Sequence, residues 1–104
     1  MKQISAESFL NLIGLNPNES ILSHFNKIVE STPGFREINS HIIALNDKIK
    51  HYGACITLSS NKDYLKIKNA SSSDVINEIE NWATKYKISL IRGSNNNYYI
   101  AGKE

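Results

Sequence analysis

The side chains equipped for catalysis or metal binding are few and scattered along this chain. His24, His41 and His51 fall on polar positions of helical stretches, with no second ligand at metal spacing and no nucleophile at a recognisable distance. They read as surface histidines. The single Cys55 has no partner for an internal disulfide and lies between Ala54 and Ile56, the setting of a small buried thiol rather than a nucleophile or ligand. Glu78 and Glu80 project about 200° apart around a helix of 3.6 residues per turn, too far round to share a proton. Gly93-Ser-Asn-Asn-Asn97 lacks the glycine spacing, the lysine and the following helix of a phosphate loop. The expectation is a protein without catalytic residues, metal or cofactor, and not an enzyme.

Residues suited to recognition are better represented. The formal charge of +2 is small but uneven: residues 48–68 carry Lys48, Lys50, Lys62, Lys66 and Lys68 against Asp63 alone, whereas residues 1–47 are acidic and 69–104 balanced. Lys62, Lys66 and Lys68 with Tyr64 beside them, joined by Arg92, form a candidate nucleic-acid set. Arg92, Asn96, Tyr98 and Tyr99 form a second candidate set, for a protein partner, because Tyr and Arg are enriched where interfaces bury energy. On a two-stranded tip one of the paired tyrosines must face outward.

The elements that position these residues follow from periodicity. Val75, Ile79, Trp82 and Tyr86, widened by Ile76 and Ala83, trace one face of a helix. Ser71 with Asp74 marks its start as a capping box, and early acids with late lysines complement its dipole. Ile88, Leu90 and Ile91, then Gly93 to Asn97, then Tyr98-Tyr-Ile100 read as a hairpin.

Upstream, three helices are expected. The first is capped by Ser5 and stops at Gly14. The second starts at Asn16-Pro17-Asn18-Glu19, with Asn16 capping and Pro17 in the first turn. It ends at Thr32-Pro33-Gly34. The third carries Phe35, Ile38, Ile42, Leu45, Ile49 and Tyr52 up to Gly53, a seam short of three heptads that packs into a core or pairs as a coiled coil. Cys55–Leu58 and Tyr64–Ile67 alternate as strands, with Leu65 and Ile67 inward and Tyr64, Lys66 and Lys68 outward. The expected fold is α+β: three N-terminal helices followed by an antiparallel ββαββ unit. At 104 residues the chain reads as one domain, 1–34 a helical pair and 35–104 an α/β core.

A second reading makes residues 62–68 a helix and residues 36–101 a winged helix. Asn69-Ala70-Ser71, Val75, Ile79, Trp82, Ile88, Leu90, Tyr98 and Ile100 resemble the turn, helix and wing of winged-helix domains of the biotin-repressor type. That resemblance implies DNA binding, although Lys68 stands at a normally apolar place. Asp74, Glu78 and Glu80 would also face the phosphates. Glu78-Ile-Glu-Asn-Trp-Ala83 with Tyr98-Tyr-Ile100 is similar to the second half of small sulfur-carrier proteins. Those need a Cys-Pro-x-Pro helix start that this sequence lacks, so the likeness implies a two-layer α/β shape without that activity.

No apolar run approaches the roughly 18–20 residues that cross a bilayer, and the N-terminal stretch lacks the apolar core of a secretory signal, so a cytoplasmic location is expected. The leading functional expectation is a non-catalytic binding protein that docks on another protein. A composition rich in Asn, Ser, Lys and Ile suggests a small bacterial or phage accessory protein of inhibitor, immunity or adaptor type. Nucleic-acid binding is the alternative, and the sequence leaves monomer and homodimer both open.

Overall fold

The computed structural model describes residues 4–104; residues 1–3, which open the stretch read for a secretory signal, lie outside the described residues. Helix α1 spans Ala6–Leu12, α2 Glu19–Ser31 and α3 Phe35–Ile49. Ser5 caps α1 by accepting from the Ser8 N–H. In α2 the cap is Asn18, not Asn16: the Asn18 side chain accepts from Ile21 N–H at 2.9 Å, leaving Pro17 just outside the helix. A cap must sit three residues before the N–H it receives, and Asn18 meets that spacing once the buried stripe through Phe25 and Ile28 sets the phase.

Helix α3 stops at Ile49, and Lys50–Tyr52 tighten into a 3₁₀ turn ahead of Gly53. Tyr52 therefore leaves the α3 stripe and is 45% exposed. The remaining stripe of Ile38, Ile42, Leu45 and Ile49 is fully buried within the chain's own core. Phe9, Phe25 and Phe35, one from each of α1, α2 and α3, meet with ring centroids 5.2–5.6 Å apart and lock these helices together.

The second half comprises β1 (Cys55–Leu58), β2 (Leu65–Lys68), α4 (Ser73–Tyr86), β3 (Ile88–Arg92) and β4 (Tyr98–Lys103). All pairings are antiparallel, in the order β1-β2-β4-β3. The α+β class with a ββαββ unit is what forms. The winged-helix alternative over 36–101 does not: Leu65–Lys68 is a strand hydrogen-bonded to β1 on one side and β4 on the other, so the helix that reading needs at 62–68 is missing. Alternation decides this, because Leu65 and Ile67 are buried while Lys66 and Lys68 point away. The cap of α4 is Ser72, which accepts from Val75 N–H, one residue later than the Ser71 expected from the sequence.

Helices α3 and α4 cover one face of the sheet. Trp82 of α4 donates its indole N–H to the His41 carbonyl of α3 at 2.9 Å, and the His41 ring stacks on Tyr86 at 3.8 Å, so His41 is half-buried packing rather than a free surface group. Buried Asn46 of α3 accepts from Ile56 N–H at 3.0 Å and occupies the outer edge of β1. The far end of β4 is fixed to the α2–α3 joint, where Lys103 N–H donates to the Pro33 carbonyl at 2.8 Å. Beside it Gly102 adopts φ +134°, and a Cβ there would lie 2.8 Å from that carbonyl oxygen. Gly102→Ala therefore combines backbone strain with a clash against main chain. The expected loss is at least about 2 kcal/mol of unfolding free energy, checked by urea denaturation.

Candidate functional site

The sheet buries one face and leaves the other open. Inward positions Ile56, Leu65, Ile67, Tyr98 and Ile100 are 0–5% exposed. The residues between them, Cys55, Thr57, Lys66, Lys68 and Tyr99, together with Ile91, are half-buried or exposed. Strand register puts Thr57, Lys66, Tyr99 and Ile91 side by side in one row across all four strands, with Lys68 paired to Cys55 in the next. Cys55 thus lies half-buried on the open face, not buried as its apolar neighbours suggested: those neighbours point to the other side of the strand.

Charge on this face is of one sign. Lys66 and Lys68 project from β2, and Lys62 of the β1–β2 loop places its ammonium 5.5 Å from the centre of the Tyr99 ring. Tyr64, one residue before β2, has the same parity as Lys66 and is half-buried. The outward strand positions contain no carboxylate. Asp63, the acid of the same loop, lines a shallow depression with Ser20, Ser23, His24 and Lys27 of α2.

Other acids are engaged on the helical side. Glu37 pairs with Lys103 at 2.6 Å, Asp47 with Lys50 at 3.5 Å and Glu78 with Lys48 at 3.9 Å. Lys62, Lys66 and Lys68 form no ion pair among the described residues. The structure therefore divides the basic segment in two, with Lys48 and Lys50 on the helical side and the other three at the sheet.

The four residues of the candidate protein-docking set do not share a surface. Tyr99 faces out on the open side. Tyr98 faces in, 5% exposed, and donates its hydroxyl to Glu80 at 3.1 Å. Arg92 pairs with Tyr98 in the ladder and lays its guanidinium over that ring at 5.8 Å, so it belongs to the helical side of the sheet edge. Asn96 sits in the turn at φ +62°, its carbonyl accepting from Ala70 N–H at 2.9 Å. Of the candidate nucleic-acid set, Lys62, Tyr64, Lys66 and Lys68 come to the open face and Arg92 does not. Tyr99, Thr57 and Ile91 complete the face. Tyr99, and Ile91 through it, reach the lysines only by the β2–β4 register, a pairing between segments about 30 residues apart that alternation within each strand does not disclose.

Among the described residues no three His, Cys, Asp or Glu side chains gather as a metal-ligand set. A groove of about 210 Å³ between α3 and α4, walled by Ala44, Leu45, Trp82 and Tyr86, holds neither a nucleophile nor an unpaired buried polar atom. On the open face three ammonium groups stand beside two tyrosine rings, the chemistry that suits an anionic, stackable partner.

Burial raises the Tyr98 hydroxyl above its ordinary value of 10.0, reinforced by the hydrogen bond and charge of Glu80 and opposed by Arg92. Since the folded-state value lies above the unfolded one, this group's contribution is intact below about pH 10 and is lost as pH rises through the raised value. Tyr98→Phe should lose about 0.5–1.5 kcal/mol at neutral pH, from the bond to Glu80, yet decline less than the wild type as pH rises past 10. Urea unfolding at neutral and alkaline pH measures both effects.

No family model matches this chain, and neither a curated protein nor a solved structure matches it.

Proposed function

We propose that this is a non-catalytic binding protein that holds single-stranded nucleic acid on the open face of its sheet. One observation carries the reading: Lys62, Lys66 and Lys68 converge with Tyr64 and Tyr99 on a face that bears no carboxylate at its strand positions. Lysines neutralise phosphates and release their counterions, while an aromatic ring accepts the face of any base. Single strands suit the face better than a duplex, because bases must be unstacked before they can lie on tyrosine. The winged-helix route to DNA is not part of this reading. The cytoplasm goes with it, as a compartment where such strands and a free thiol like Cys55 coexist.

Fluorescence anisotropy with labelled mixed-sequence single-stranded oligonucleotides tests the proposal. With about three phosphates neutralised, log K should fall against log salt with a slope of about −2. Lys66→Glu should reduce that slope, and Tyr99→Ala should cost about 1–3 kcal/mol of binding with the slope unchanged. Undetectable binding at low salt, or binding indifferent to salt, overturns the reading.

Ile91 supports a second reading, a protein partner of the kind an inhibitor, immunity protein or adaptor engages, in a small bacterial or phage accessory role. It is 44% exposed and stands next to Tyr99, an apolar and aromatic centre with a lysine rim. On that reading capture of the partner from the native host fails with Ile91→Asp and Tyr99→Ala but survives Lys68→Glu.

A further inference from the structure

The two edges of the sheet are finished differently. On β1, Asn46 occupies the outward N–H of Ile56. On β3 no side chain plays this part among the described residues. Gly93 N–H donates to the Asn97 carbonyl and Glu104 N–H to the Lys87 carbonyl, so the odd-numbered residues of this stretch turn their backbone groups toward β4. Alternation then places the N–H and C=O of Leu90 and Arg92 on the free edge. Ile88, 3% exposed, closes the other end of the strand. The segment 90–92 has no proline, no lysine and no bulge of its own, the irregularity at Ser89/Leu90 being taken up by the extra residue Ala101 on β4; its one charge, Arg92, is laid over the Tyr98 ring rather than along the edge.

We propose that β3 pairs antiparallel with β3 of a second copy of this chain, about a two-fold axis through Ile91. That register sets Leu90 opposite Arg92 of the other copy, so the outward backbone groups meet in hydrogen-bonded pairs and no like charges stand directly opposed. Ile91, one of three large hydrophobic residues with substantial exposure among the described residues, meets its own counterpart at a non-hydrogen-bonded position, where facing Cα atoms lie about 4.5 Å apart. Pairing converts two four-stranded sheets into one of eight strands with a continuous open face. The row Thr57, Lys66, Tyr99, Ile91 then runs on into its mirror sequence. The two Tyr99 rings stand three strand spacings apart, about 14 Å. The second copy thus supplies half of the extended face, while the pairing itself does not depend on the nucleic-acid reading.

Cross-linking and sedimentation test this without any ligand. In a Cys55→Ser background, Ile91→Cys should form a disulfide-linked dimer under mild oxidation at least tenfold faster than Ser89→Cys, whose own counterparts lie four residues apart along the paired strands. Analytical ultracentrifugation of the otherwise unaltered chain, from low micromolar to near-millimolar concentration, should show a monomer–dimer equilibrium. Ile91→Lys should weaken that equilibrium at least tenfold while leaving far-ultraviolet circular dichroism unchanged, since two lysines would then face each other. Cross-linking of Ile91→Cys no faster than of Ser89→Cys, a monomer throughout the series, or a dimer indifferent to Ile91→Lys each overturns the proposal.

Discussion

The enclosure of α3 on nearly every side is the constraint on which the rest of this fold depends. Ile38, Ile42, Leu45 and Ile49 are at most 1% exposed, and each such side chain contributes roughly 1.5–3 kcal/mol by leaving water. To bury them, Phe35 joins the aromatic contact with α1 and α2, α4 lies alongside through the Trp82 bond to His41, and the sheet closes beneath. With all four helices gathered on one side of the sheet, none is left for the other. The open face is thus the geometric remainder of a one-sided core, and its residues are free to be chosen for a partner rather than for packing.

Charge is divided along the same boundary. Lys48, Lys50 and Lys103 have carboxylate partners on the helical side, and exposed pairs of that kind add little to stability, at most about 1 kcal/mol each. Their larger effect is to neutralise that surface. A chain with a formal charge of only +2 thereby presents a concentrated positive field on one side, where Lys62, Lys66 and Lys68 have no acid to answer them.

Much of this architecture was legible in the sequence because it rests on local periodicity. The stripe of α4, the alternation of Leu65 and Ile67, and the hairpin turn around Asn95 and Asn96, both at positive φ, are written within a few residues of each other. Cap positions slipped by one or two residues where neighbouring Ser or Asn residues compete. There the winner is set by the phase of the buried stripe: Ser72 over Ser71, Asn18 over Asn16. The candidate face was only half legible. Lys62, Tyr64, Lys66 and Lys68 are neighbours in sequence, but Tyr99 and Ile91 join them through pairings that depend on how the whole chain packs. Tyr98 and Tyr99 show the same limit, since alternation says that they part company and only the sheet says which one turns inward.

The bond between Lys103 and Pro33, with the one between Glu104 and Lys87, ties residues 102–104 to two separate joints, α2–α3 and α4–β3. This arrangement makes the two halves of the fold depend on one strand. Each helix can form locally, but β4, the strand between β2 and β3, follows in the chain every element that it joins. Until residues 98–104 are in place, β2 and β3 have no neighbour to join them, and α3 lacks the floor that closes its core. Neither half of the sheet is thus complete without the other, a dependence on contacts distant in sequence of the kind that slows the search for a fold.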